Sequence, residues 1–248
     1  GVQTKVGNVP EWWGRFEKRA QMEGAEGFSK IILPLGELRG EEDWGSIVCE
    51  LPAALFPEDE EKCRARLMEL AGRGLKAVYA ENLYGVYMGR ELGLTVYGGA
   101  GLNVLNARAA REYGRLGAAA LTASFECSMK GAAALRADTP LGLIVYGRLP
   151  LMRLRCCPAR GKHGCGGCQG VNELTDGTGA RFPLICADRK FSTLLNSVPL
   201  HIADKNIAPM DFYTFYFTVE SPGECRRVVR EYREGRPSAG ARTGGLYY

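Results

Sequence analysis

The sequence predicts an α/β fold, a TIM-like (β/α)8 barrel or a barrel-derived domain with an inserted cysteine-rich metal loop. Three observations lead there. Short apolar runs rich in Ile, Val, Leu and Tyr recur along the chain, as strands buried on both faces do. Segments with helical spacing and acidic first turns separate several of them. The alternation yields about eight strands over 248 residues, which is the size and rhythm of an eight-stranded barrel. An open doubly wound sheet is the alternative, but no Gly-x-Gly-x-x-Gly turn follows the first strand.

Residues 1–27 are polar and carry Trp12, Trp13 and Phe16 at helix-like spacing, which predicts an N-terminal lead-in helix whose aromatics cap the core. The strands expected after it are Lys30–Leu35, Ser46–Leu51, Ala77–Ala80, Thr95–Gly98, Ala120–Phe125 and Leu143–Tyr146. Leu195–Ile202 and Phe212–Thr218 follow later. Helices are expected over Glu58–Gly72, Leu105–Gly117, Cys127–Arg136 and Pro222–Glu234. The barrel domain is bounded at 28–236, the metal loop at 153–190, and 237–248 form a tail. Gly98-Gly99-Ala100-Gly101 lacks the lysine of a phosphate loop and reads as a close backbone approach at a strand end.

The inserted loop holds Arg155-Cys156-Cys157-Pro158, then Gly164-Cys165-Gly166-Gly167-Cys168, and later Cys186. Thiolates repel one another unless a cation neutralises them, so a Cys-x2-Cys pair with two more cysteines at loop distance reads as a four-thiolate site. Cys157, Cys165, Cys168 and Cys186 are the candidate ligands, with Cys156 the alternative to Cys157. Spacing does not separate structural zinc (Zn) from an iron–sulfur cluster. The nine cysteines are an odd number, and no signal peptide is visible, so a disulfide framework is disfavoured. Cys49 and Cys225 read as buried packing thiols, and Cys63 lies outside the ligand set with them.

In a barrel, chemistry gathers at the carboxyl ends of the strands. Reading those ends gives Glu50, Asn82, Asn103, Asn106, Ser124, Glu126, Tyr146, Arg148, Thr218 and Glu220. A helix cap or turn role competes at each of these positions. Arg148, Glu50, Asn103 and Glu126 are the candidate substrate-binding residues; Arg148 stands just before the cysteine loop, where its fork would hold an anion. Arg153, Arg155, Arg160 and Lys162 add positive charge that would stabilise thiolates or meet a phosphate backbone.

With 46% hydrophobic and 24% charged residues the chain buries a full core. No apolar run approaches the roughly 20 residues that span a bilayer, so a cytoplasmic protein without membrane contact is expected. The net charge of +4 permits nucleic-acid contact without requiring it. Gly1 in place of Met suggests a piece of a longer protein. The two histidines, His163 and His201, lie in no nucleophile motif, and there is no His-Glu-x-x-His helix.

Tyr146-Gly147-Arg148-Leu149-Pro150-Leu151-Met152, Cys157-Pro158, Gly164-Cys165-Gly166-Gly167-Cys168, Leu174-Thr175-Asp176, Arg181-Phe182-Pro183-Leu184, Leu194-Leu195-Asn196-Ser197-Val198-Pro199-Leu200 and Phe217-Thr218-Val219-Glu220 form a combination. It resembles the C-terminal region of the large U32-type, collagenase-like peptidase proteins, over about Phe28 to Tyr232. Named for proteolysis, that family also includes RNA hydroxylases and oxygen-independent hydroxylases of ubiquinone synthesis that carry a four-cysteine 4Fe-4S cluster. The resemblance implies iron–sulfur rather than zinc, an RNA (rRNA or tRNA) hydroxylase-like activity, and as partners RNA and the N-terminal part of the same protein. The family's N-terminal peptidase signature has no recognisable counterpart here. A U32 collagenase-like peptidase or its accessory domain, and a non-catalytic module stapled by zinc, are the competing readings.

Overall fold

Trp13 sits between Thr214 on one side and Lys30 on the other in a parallel sheet, so the N-terminal aromatics belong to a strand and not to a lead-in helix. The computed structural model describes residues 9–23, 26–166, 168–187 and 191–247. In chain order it contains β1 (Glu11–Phe16), β2 (Lys30–Pro34), β3 (Ile47–Glu50), α1 (Pro57–Gly72), β4 (Ala77–Ala80) and α2 (Leu83–Glu91). Then come β5 (Thr95–Gly98), α3 (Ala107–Arg115), β6 (Ala118–Thr122), α4 (Met129–Ala134) and β7 (Leu141–Gly147). An insertion follows with β8 (Pro150–Leu154), the single turn α5 (Arg160–His163), β9 (Val171–Thr175), β10 (Arg181–Ala187) and β11 (Phe191–Leu195). The chain returns through β12 (Leu200–His201) to β13 (Phe212–Phe217) and α6 (Pro222–Glu234).

Strands β1 to β7 and β13 pair in parallel around a closed ring. The circle closes where Thr122 of β6 meets Gly142 of β7 and where β13 lies between β7 and β1. This is the TIM-like barrel expected from the alternating runs. The expected strands lie within a few residues of the observed ones, except Leu195–Ile202. That run contains the end of β11 and the two-residue β12, which is antiparallel to β7. The eighth barrel strand is instead β1, inside the stretch read as a lead-in segment.

The misreading has a physical cause. Trp12 and Phe16 pack outward into the layer between barrel and helices, whereas Trp13 points into the barrel, where it stacks on Phe212 at 3.6 Å. A strand with apolar groups on both faces has no clean two-residue period, and Trp12, Trp13 and Phe16 mimic a helical stripe. The barrel interior is filled by Trp13, Ile32, Val48, Tyr79, Ala120 and Phe212. A larger apolar layer separates the outside of the barrel from the helices. No helix among the described residues is long and apolar enough to cross a membrane.

The expected metal loop is a four-stranded antiparallel sheet in the order β8-β11-β10-β9. The chain leaves the barrel for this flap at Gly147, whose φ of +138° and contact with the Tyr216 carbonyl leave no room for a Cβ. Arg155, just past β8, stacks its guanidinium 4.6 Å above the Phe56 ring at the start of α1 and fastens the flap to the barrel.

Candidate active site

Alternation along parallel strands decides which polar groups reach the barrel interior. Trp13, Val48, Tyr79 and Phe212 face inward, so the same parity carries Arg15, Glu50, Glu81 and Tyr216 inward one or two steps nearer the carboxyl ends. All four are buried. Arg15 grips Glu50 with two nitrogens, Nε at 3.0 Å from Oε1 and Nη2 at 2.6 Å from Oε2. Its Nη1 donates to Glu17 at 2.6 Å, and its guanidinium lies 4.5 Å from the Tyr216 ring centre. Burial raises the Glu50 carboxyl above the ordinary range, while Arg15 opposes the rise.

Among the described residues Glu81 has no such cation in contact. It is 5% exposed, its Oε2 accepts the Gly101 N–H at 2.6 Å, and its Oε1 has no hydrogen-bond partner among the described residues. Burial, followed by the negative charge of Glu50, pushes its pKa up to about 7. Glycine is required around it. A Cβ on Gly99 would stand 2.4 Å from Oε1, and one on Gly101 would stand 2.3 Å from Oε2 and 2.4 Å from the Glu81 carbonyl oxygen. The Gly98-Gly99-Ala100-Gly101 stretch is thus the close backbone approach that was expected, and the group it approaches is this carboxyl.

Above these residues the barrel mouth and the flap enclose a cavity with two lobes, of about 430 and 290 Å³. Glu81, Pro150, Arg153 and Tyr216 border both. The flap presents one face to the larger lobe, because Arg153 on β8 pairs with Thr193 on β11 and Thr193 with Ile185 on β10, and all three line it. Arg153 is exposed and makes no hydrogen bond or ion pair among the described residues. A buried carboxyl that exchanges its proton near neutrality, opposite a free guanidinium in a partly enclosed cavity, is a setting for acid–base chemistry on a bound ligand.

Of the predicted substrate-binding residues, Glu50 lines the larger lobe and Asn103 and Glu126 line the smaller one. Arg148 borders neither. Its Nη1 donates to the carbonyls of Asn196, at 3.1 Å, and Ser197, so the fork braces the segment returning from the flap. In place of a contact with the cavity, this placement gives Arg148 a bracing role. Asn82 and Asn106 cap α2 and α3 by accepting from Gly85 N and Ala109 N, and Ser124 accepts from Glu126 N. Glu220 accepts the Thr218 N–H at 2.6 Å and the Tyr146 hydroxyl at 3.3 Å. Sequence reading passed over Arg15, Glu81 and Tyr216. Counting alternate residues from Trp13, Tyr79 and Thr214 would have found them.

The candidate metal ligands lie on the flap. Cys186 follows the cavity-lining Ile185, so by alternation it faces away from the barrel. Its N–H donates to the Gly170 carbonyl at 2.7 Å, and Gly170 N and Asn172 Nδ2 point at Cys168 Sγ from 3.3 and 3.1 Å. N–H donors onto sulfur favour a thiolate, so the donor chemistry at Cys168 fits a metal-bound sulfur. Cys157 and Cys165 stand on either side of α5, both half-buried, and Cys156 is exposed. The shell is not assembled: among the described residues no three Cys, His, Asp or Glu side chains converge to hold one ion. Gly167 and residues 188–190 lie outside the described residues, as do the side chains of Lys162 and His163.

The molecule is therefore a closed parallel barrel whose mouth carries a buried acid–base cluster beneath an antiparallel flap. No protein-family model matches the chain. No curated protein matches it either. Among solved structures it is similar to a U32 peptidase, with a TM-score of 0.44 and 19% identity over 58% of this chain and 72% of that one.

Proposed function

We propose that this chain is the barrel domain of a U32-type enzyme of the RNA hydroxylase-like kind, which works on its substrate in the mouth between barrel and flap. The combined motifs from Tyr146 to Glu220 support the family. The observation that carries the enzymatic reading is Glu81, a buried carboxyl with pKa near 7 that borders both lobes of the cavity. A base taken out of a nucleic-acid strand needs a pocket of this kind, with groups that recognise its polar edge. Arg153, Arg155 and Arg160 are exposed on the flap, where they would meet the phosphates flanking such a base.

Cys157, Cys165, Cys168 and Cys186 would hold a 4Fe-4S cluster, which supplies one-electron chemistry when bound. The chain's own contribution is to bind the substrate under Arg153, exclude water with the flap, and hold or release a proton at Glu81. A peptidase reading finds less support, because His201 is bound to Glu231 at 2.7 Å and lines neither lobe.

Anaerobic purification with iron, sulfide and zinc analysis, absorption spectroscopy and an RNA-binding titration tests the proposal. Iron and sulfide at about four each per chain with a broad visible band are expected, together with RNA binding that weakens as salt rises. Replacement of Cys157, Cys165, Cys168 or Cys186 by Ser should lose iron, whereas Cys49→Ser, Cys63→Ser and Cys225→Ser should retain it. One zinc in a colourless protein, or iron unchanged in Cys186→Ser, would overturn the cluster assignment.

A further inference from the structure

We propose that the larger lobe is a seat for a small ligand with an apolar body and one anionic group, the anion held by Arg153 and a proton taken up at Glu81 as it binds. The inference rests on the mouth being the working site and not on which reaction is performed there.

The apolar part follows from the walls. Leu35, Leu51 and Leu55 from the barrel side and Ile185, Phe191 and Leu195 from the flap face one another across the lobe. Its volume of about 430 Å³ suits one ring-sized body with a substituent. The anionic part follows from charge. The two arginines on the barrel side are already engaged: Arg15 with Glu50 and Glu17, and Arg66 with Glu69 and the Leu38 carbonyl. Arg153 above and Lys62 on α1 line the same lobe and carry no hydrogen bond or ion pair among the described residues. Unpaired cations beside apolar walls select an anion attached to an apolar group, and the planar fork of Arg153 matches carboxylate or phosphate better than an ammonium does.

The proton follows from what faces Glu81. Glu50 of β3 raises its proton affinity, and Arg153 of β8 and Arg15 of β1 lower it. The Gly101 N–H fixes Oε2, and the neighbouring Tyr79 and Tyr216 stay neutral because burial holds their hydroxyls well above the usual range. A ligand anion on Arg153 cancels the opposing charge that Arg153 brings from the flap. Glu81 then draws a proton from solvent, and its unpartnered Oε1 becomes free to act as a hydroxyl donor.

Titration calorimetry at pH 7 in two buffers of different ionisation enthalpy reads both events, with benzoate and phenyl phosphate as anionic probes and benzyl alcohol as the neutral control. Both anions should bind about tenfold or more tightly than the alcohol. Uptake should approach about half a proton per ligand, since a group titrating near the working pH is half charged. Arg153→Met should remove the preference for the anions and leave benzyl alcohol binding as it was; Arg153→Lys, which keeps the charge, serves if the first variant fails to fold and should lose part of the preference. Glu81→Gln should still bind the anions but take up no proton. Equal binding of alcohol and anions, no binding of either anion, full affinity in both Arg153 variants, or proton uptake persisting in Glu81→Gln would each overturn the proposal. A chain that binds benzoate in this way but holds no iron and no RNA would remove the proposed function and leave the ligand seat standing.

Discussion

Arg15 and Glu50 close a bidentate ion pair inside the barrel, with Nη2 to Oε2 at 2.6 Å and Nε to Oε1 at 3.0 Å, and both side chains are buried. The pair joins the first strand to the third beneath the cavity. Removing the arginine alone leaves a carboxylate in a low-dielectric site with no counter-charge. Arg15→Met is therefore expected to cost about 3–5 kcal/mol in urea unfolding. Glu50→Gln should cost less, because Arg15 keeps Glu17 as a partner. A loss under 1 kcal/mol for Arg15→Met would show that the pair is not the buried brace described.

This pair also marks where the sequence was legible. Strands β2 to β7 and β13 announce themselves as apolar runs, because a parallel barrel strand is covered on one side by helices and on the other by the barrel core. Strand β1 is covered in the same way, but Gly14 and Arg15 interrupt its apolar run and leave aromatics at positions that fit a helix. The polar layer was half legible for a related reason. Glu50 ends a conspicuous run, whereas Glu81 stands beside Asn82, whose capping role drew attention to the wrong neighbour. Arg148 read as a ligand for anions because its partners, the carbonyls of Asn196 and Ser197, are backbone groups that no side-chain pattern reveals.

Gly101 lies against both the carboxylate and the carbonyl of Glu81. Gly101→Ala is expected to destabilise by about 1–3 kcal/mol, as overpacking of a rigid site does, and to displace the Glu81 carboxyl from its N–H donor. Gly36 also lies at the larger lobe, but a Cβ there meets nothing within 4 Å. Gly36→Ala should leave the melting temperature nearly unchanged. Equal melting temperatures for the two variants would contradict the tight packing around Glu81.

Glu81 gives stability a pH dependence of definite sign. Folded, it keeps its proton up to about pH 7; unfolded, it titrates near the ordinary 4.5. Between these values the folded chain binds more protons than the unfolded one, so this contribution is fully present below about 4.5 and is lost as pH rises through 7. Its size is roughly 3 kcal/mol across that window, and the raised Glu50 acts in the same direction. Urea unfolding at pH 5, 6 and 7 should show wild-type stability falling relative to Glu81→Gln as the pH increases. Parallel curves for the two proteins would mean that Glu81 titrates normally.

The guanidinium of Arg148 spends its Nη1 on the two carbonyls with which the chain comes back from the flap, and it borders neither lobe of the cavity. Its substitution should therefore act on stability and not on ligand binding. Arg148→Met leaves the carbonyls of a half-buried turn without a charged donor, a loss of about 1–3 kcal/mol. Arg148→Lys should recover part of this, since an ammonium on a flexible stem reaches one carbonyl but not both in the fork's geometry. Benzoate affinity measured on the same samples should match wild type. Weakened binding with an unchanged melting temperature would reverse the assignment and return Arg148 to the substrate side of the molecule.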